Sequence, residues 1–178
     1  MARLHERYVN ELAPALMKEF SISNRLAVPK IDKVVVSMGV GRATQERKRL
    51  EDAVRDLALI TGQKPLLTRA RKSVSNFKLR EGMEIGCKVT LRGARMYEFL
   101  DRLMNVAMPR IRDFRGVART FDPAGNFSLG VADGSIFPEV NIDNVEFQQG
   151  LNVALVISNS DAKKSERLLE LFGMPFRR

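Results

Sequence analysis

Nine lysines and arginines fall between Lys64 and Arg95 (Lys64, Arg69, Arg71, Lys72, Lys78, Arg80, Lys88, Arg92 and Arg95) against two acids, Glu81 and Glu84. The chemistry open to such a set is phosphate binding. Ammonium and guanidinium groups make charge-assisted hydrogen bonds to phosphate oxygens, and a polyanion relieves their mutual repulsion. Residues 1–63 hold 11 basic and 8 acidic groups, residues 64–119 hold 14 and 5, and the remainder holds 5 and 8. That asymmetry points to one face for nucleic acid and a neutral-to-acidic side for a second partner.

Lys72–Gly82 reads Lys-Ser-Val-Ser-Asn-Phe-Lys-Leu-Arg-Glu-Gly. It sets Phe77 among Lys72, Ser73, Ser75, Asn76, Lys78 and Arg80, the composition of a finger that grips a backbone and stacks an aromatic on a base or sugar. The alternative is a solvated loop with Phe77 folded onto the sheet. A second basic run, Arg110-Ile111-Arg112-Asp113-Phe114-Arg115, surrounds two apolar residues and suits an RNA or protein contact, although arginines ending a helix also complement its dipole.

Enzymatic readings are weaker. Gly39-Val40-Gly41-Arg42-Ala43-Thr44 opens like a dinucleotide fingerprint but has Thr44 at the third glycine position, and no Gly-Lys-Ser/Thr follows. A structural turn is the better reading, with its backbone N–H groups still able to meet an RNA phosphate. His5 is the one histidine, beside Glu6 in a helical stretch, and reads as a surface residue. Cys87 sits on the apolar side of a strand with no histidine to activate it, and reads as core. Zinc-type spacing is missing and the carboxylates are scattered, so neither catalysis, a metal nor a cofactor is expected.

Several elements must position these residues. Leu4, Tyr8, Leu12, Leu16 and Phe20 recur every four residues, the stripe of an amphipathic helix that Pro14 bends. Ile31–Val40 is a β-branched strand, and a helix from about Ala43 to Thr61 stops at Gly62. Leu66–Arg71 and Ile85–Arg92 read as strands, and Met96 to Ala107 as a helix ended by Pro109. Residues 110–150 are irregular, with short strands at Phe127–Val131 and around Ile136–Val140. Leu151–Ser158 alternates as a strand, and a last helix runs from a Ser160 or Asp161 cap to Gly173. This order predicts an α+β fold of split β-α-β type: a mainly antiparallel sheet with helices on one face. The free face would carry Lys33, Ser37, Arg69, Arg71, Lys88, Thr90, Arg92 and Asn152, suited to phosphate and sugar, unless it is merely the solvated side of an amphipathic sheet.

With 178 residues and no Gly/Ser or Pro-rich linker, one domain spanning 1–178 is expected. A single cysteine fits a reducing compartment. The N-terminus has no apolar signal region, and no apolar run approaches the roughly 20 residues of a membrane span, so a cytoplasmic protein with no membrane partner is expected.

The blocks Gln63-Lys64-Pro65, Ala70-Arg71-Lys72-Ser73, Ile85-Gly86-Cys87-Lys88-Val89-Thr90-Leu91-Arg92-Gly93 and Pro109–Gly116 resemble bacterial large-subunit ribosomal protein five, the family that binds 5S ribosomal RNA. The resemblance runs from Leu4-His5 through Met38-Gly39-Val40-Gly41 to Pro175-Phe176-Arg177-Arg178. It implies a noncatalytic ribosomal role beside large-subunit rRNA and neighbouring ribosomal proteins, with 5S rRNA anchored in the central protuberance. By motif, Ser37, Gln63 and Thr90 would meet 5S rRNA, and the Lys72–Gly82 loop would reach peptidyl-site tRNA. The region after Pro109, with Arg110, Arg112 and Arg115, would bridge to a small-subunit head protein. The family pattern has Asn before Met38 where this chain has Ser37, which keeps a hydroxyl and loses an amide. Two other classes stay open: an RNA chaperone binding through charge alone, and a phosphate-handling enzyme using the Gly39–Thr44 turn.

Overall fold

In the computed structural model, which describes residues 2–140 and 147–177, strands β1 (Lys30–Gly39), β2 (Leu66–Arg69), β3 (Glu84–Leu91), β4 (Phe127–Val131) and β5 (Leu151–Ser158) form one sheet in the order β2-β3-β1-β5-β4. Neighbours β1 and β3 are separated in sequence by helix α3 (Lys48–Thr61) and by β2, the split β-α-β arrangement, and the fold is α+β with helices packed on the sheet. Burial alternates along the strands: Val34, Val36 and Met38, Cys87, Val89 and Leu91, and Leu151, Val153, Leu155 and Ile157 are buried, while their sequence neighbours are half-buried or exposed, apart from Gly86, which is buried beside Cys87.

Two compact units divide the chain. One comprises Met1–Val34, Leu91–Leu129 and Ala154–Arg178, the other Val35–Thr90 and Gly130–Val153. In the first, the N-terminal stripe is not one continuous α-helix. Helix α1 (Arg3–Arg7) passes into a π-helical turn, Tyr8–Leu12, and then into α2 (Ala13–Glu19). The wider turn keeps Leu4, Tyr8, Leu12 and Leu16 aligned at a spacing of four, and it lies where Pro14 has no N–H to continue the ladder. Helix α4 (Gly93–Arg102) packs on α1 and ends the same way, through a π turn, Leu103–Ala107, and a 3-10 turn, Met108–Arg110. Pro109 thus sits inside the final turn and helical backbone continues to Arg110, because a proline near the start of a 3-10 turn forfeits no bond. Tyr97 contacts His5 and the Phe172 ring of helix α5 (Ala162–Phe172), and Phe172 stacks on Tyr8. Asp161 precedes α5 and Gly173, at φ +94°, closes it.

The irregular stretch of this unit is tied down by Pro175–Arg177. Val117 N–H donates to Pro175 O at 2.9 Å and Arg177 N–H to Val117 O at 2.9 Å. Gly116, at φ +94°, leaves room for Arg177, whose backbone nitrogen lies 2.6 Å from where a Cβ would stand. Phe176 meets Phe121 and Phe127, and Arg119 lies over its ring while bonding Glu166 and Glu170.

In the second unit, α3 buries Leu50, Ala53, Leu57 and Ile60 and ends at Gly62, φ +64°. The Gly39–Thr44 stretch closes as a 3-10 turn, Gly41–Thr44, and α3 begins only at Lys48, so the helix expected from Ala43 starts later. Gly134–Ile136 is also a 3-10 turn, in place of the strand that the composition predicts around Ile136–Val140; Asp133 caps it by accepting from Ser135 N–H at 2.9 Å.

Candidate nucleic-acid interface

Strand β2 pairs antiparallel with β3, placing Leu66 opposite Lys88, Leu67 opposite Cys87 and Thr68 opposite Gly86. Cys87 is buried, which identifies the covered side, and Lys88 and Thr90 emerge on the other. On neighbouring β1, Ser37 is half-buried with no hydrogen bond to its hydroxyl among the described residues. Asn152 of β5 is exposed beside Gly130. Leu66, 64% exposed, and Thr68 share this face and went unrecognised in the sequence; the pairing register alone reveals them.

A slip of one residue at Ile85 sets Arg69 opposite Glu84, and the two form an ion pair at 3.2 Å. The strand expected to reach Arg71 ends at Arg69. Beyond it, Ala70 still bonds Met83 and Gly82, and Arg71 lies in an exposed bend. Gln63 is half-buried just after the cap of α3, off the strands.

The Lys72–Gly82 segment is a small hairpin. Val74 and Leu79 exchange two backbone hydrogen bonds, at 2.9 and 3.0 Å, and Glu81 N–H donates to Ser73 Oγ at 2.9 Å. Its tip is a 3-10 turn, Ser75–Phe77, followed by Lys78 at φ +52°, an uncommon conformation for a side-chain-bearing residue. Phe77 is 74% exposed and so does not fold back on the sheet. Arg71, Lys72, Lys78, Arg80 and Lys88 have no acidic partner among the described residues. Cys87 is a core thiol: burial pushes it up to about 11, partly countered by a hydrogen bond with the Met38 backbone.

The remaining sequence-expected residues lie in the first unit. Lys33 is half-buried on β1. Arg92 lies past the end of β3, as the N-cap of α4 rather than a strand residue, and its guanidinium is 3.1 Å from Asp32. Arg110 closes the 3-10 turn, Arg112 stands 3.9 Å from Asp113, and both are exposed, as is Arg115, around half-buried Ile111 and Phe114. Among the described residues no group of three metal-ligating side chains converges, and no helix is long and apolar enough to cross a membrane.

Comparison with known proteins adds a separate finding. A family described as Ribosomal protein L5 matches residues 24–80, and the family describing the C-terminus of these ribosomal proteins matches residues 84–176. The large ribosomal subunit protein uL5 of Syntrophomonas wolfei is 53% identical over 178 residues, covering 99% of this chain and 100% of the relative. The protein of the same name from Rubrobacter xylanophilus is 54% identical over 178 residues, with 99% of each covered.

Proposed function

This chain belongs to the L5 family of ribosomal proteins, and on that footing we propose that it holds 5S rRNA in the central protuberance through the open sheet face bearing Ser37, Lys88 and Thr90. It is a structural constituent of the large ribosomal subunit in the cytoplasm, not an enzyme. The observation carrying the finer reading is the placement, on adjacent strands, of two hydroxyls and an ammonium that has no acidic partner among the described residues. Hydroxyls serve ribose and phosphate, and cations supply the electrostatic attraction of folded RNA. Gln63, Arg69 and Arg71 extend the surface from the α3–β2 connection and the end of β2. Lys33 and Arg92 belong to the same reading, as does large-subunit rRNA as a neighbour.

The hairpin is assigned to peptidyl-site tRNA because its tip carries Phe77, Lys78 and Asn76 exposed on a bonded stalk. Arg110, Arg112 and Arg115 are assigned to a small-subunit head protein, because exposed arginines around apolar residues suit a protein partner. The test is filter binding of the protein to 5S rRNA, bulk tRNA and an unrelated structured RNA across a salt series. A preference for 5S rRNA that persists as salt rises is expected. Equal affinities collapsing together would instead describe a charge-only RNA chaperone.

A further inference from the structure

Gly39 closes β1, and a side chain holds its carbonyl oxygen: Gln149 Nε2 donates to it at 3.1 Å. Gln149 stands two residues before β5, the strand beside β1, begins at Leu151, so its amide serves the end of β1 where β5 has not yet started. The backbone behind that amide is fixed. Gly134 N–H donates to Gln149 O at 3.1 Å, and a Cβ on Gly150 would lie 3.0 Å from Val131 O and 3.2 Å from Ala132 O. Two residues upstream, Phe147 lies under Arg49 of α3, whose guanidinium carbon is 4.0 Å from the ring centroid. Glu46 takes the same guanidinium at 2.7 Å, and the Arg49 side chain is only 24% exposed. Phe147 and Gln149 also close, with Met38, Asp56 and Gly134, around a cavity of ≈ 10 Å³, room for about one water molecule. All of these residues belong to the second unit.

We infer that Arg49, Phe147 and Gln149 form a clasp that positions the end of β1, and with it Ser37 on the RNA face, without touching RNA themselves. Ser37 lies two residues before Gly39 on the same strand. Val40 N–H, donating to Ile85 O at 2.8 Å, ties this end to β3 on one flank, and Gln149 ties it on the other. Arg49 holds the clasp down on α3. A guanidinium already engaged by a ring and a carboxylate has little left to offer a phosphate, so Arg49 is a cation spent on the fold, unlike Lys88. The inference rests on the sheet-face reading above.

The test uses the full chain and four variants: Gln149→Met, which removes the amide donor at similar length, Phe147→Leu, which removes the ring, Phe147→Tyr, which keeps it, and Arg49→Met. Residue-resolved hydrogen exchange of Val40 and Ala43 should be about fivefold faster in Gln149→Met, Phe147→Leu and Arg49→Met, the scale of one lost hydrogen bond, and near wild type in Phe147→Tyr. Val89, in the core of β3, should keep its rate in all four. Affinity for 5S rRNA should fall about threefold in the three opened variants and recover in Phe147→Tyr. The salt slope should not change, Arg49→Met included. A slope lower by about one in Arg49→Met would make that arginine a phosphate contact and overturn the inference. Unchanged exchange at Val40 in Gln149→Met overturns it as well, and so does wild-type affinity in variants whose exchange is accelerated. Gln149 is half-buried, so Gln149→Met decides the matter even where circular dichroism shows that Phe147→Leu fails to fold. A wild-type protein with no preference for 5S rRNA removes the parent reading, while hydrogen exchange still reads the clasp by itself.

Discussion

Gly86 faces the carbonyl oxygen of Met38 so closely that a Cβ would lie 2.6 Å from it, and 2.9 Å from Thr68 Oγ1 on the other flank. Three strands therefore approach at a point where only a hydrogen fits. Gly86→Ala should cost about 1–3 kcal/mol in urea unfolding, the scale of an overpacked core. Gly39→Ala, whose Cβ would meet nothing within 4 Å, should stay within about 0.5 kcal/mol. Matching midpoints for the two variants would disprove the steric argument.

Charge on the sheet face is unequal in effect. Glu84 already balances Arg69, whereas Lys88 has no acidic partner among the described residues. Lys88→Ala should lower the salt slope of 5S rRNA binding by about one, and Arg69→Ala by less. Glu84→Gln should release Arg69 and strengthen binding at low salt. Identical slopes for Lys88→Ala and Arg69→Ala would show that the ion pair opens in the complex.

Local signals were readable in the sequence and long-range ones were not. Gly62 and Gly173 announce helix ends because a left-handed residue is written in one letter, and Phe127–Val131 alternates cleanly enough to be placed to the residue. Ile136–Val140 has strand-like composition, but the Asp133 cap turns the backbone first. Arg69 and Arg92 read as free cations because Glu84 and Asp32 reach them only through strand register and tertiary packing.

Deleting Ser75–Leu79 removes the hairpin tip while leaving the Ala70–Met83 bond at its base. The deletion should leave 5S rRNA affinity within about twofold, since its effect on the sheet face is that of a distant site, and impair tRNA positioning in ribosome toeprinting. A loss of ordered secondary structure by circular dichroism would make the segment a folding element instead.

Alkaline pH should weaken the fold in a defined window. The Cys87 thiol is held at about 11, above its ordinary 9.0, chiefly by burial. Between those values the folded chain keeps a proton that the unfolded chain gives up, so stability is whole below pH of about 9 and falls as pH rises towards about 11. Tyr97, lifted to about 12 by burial and by Tyr8, adds to the upper end. Melting temperature followed over this range should fall less steeply in Cys87→Ala than in wild type; parallel curves would clear the thiol of any part.

Phe176 holds the Val117 segment through its rings and through Arg119. Phe176→Ala should remove about 1–3 kcal/mol of local stability and speed tryptic cleavage after Arg112 and Arg115 by about an order of magnitude. Cleavage at the wild-type rate would assign the order of this segment to its own turns.

The pairing of Val117 with Pro175 and Arg177 also has a temporal side. A chain is made from its N-terminus, so Val117 leaves the machinery of synthesis long before its partners exist. Until then the stretch carrying Arg110, Arg112 and Arg115 has no strand to lie against, and its arginines are presented on an unsecured backbone. In the second unit the hairpin and the β2–β3 ladder close within residues 66–91 and have no such wait, although Gly130–Val153 joins that unit later. The surface proposed for RNA can thus be ready while the surface proposed for a protein partner is still being made.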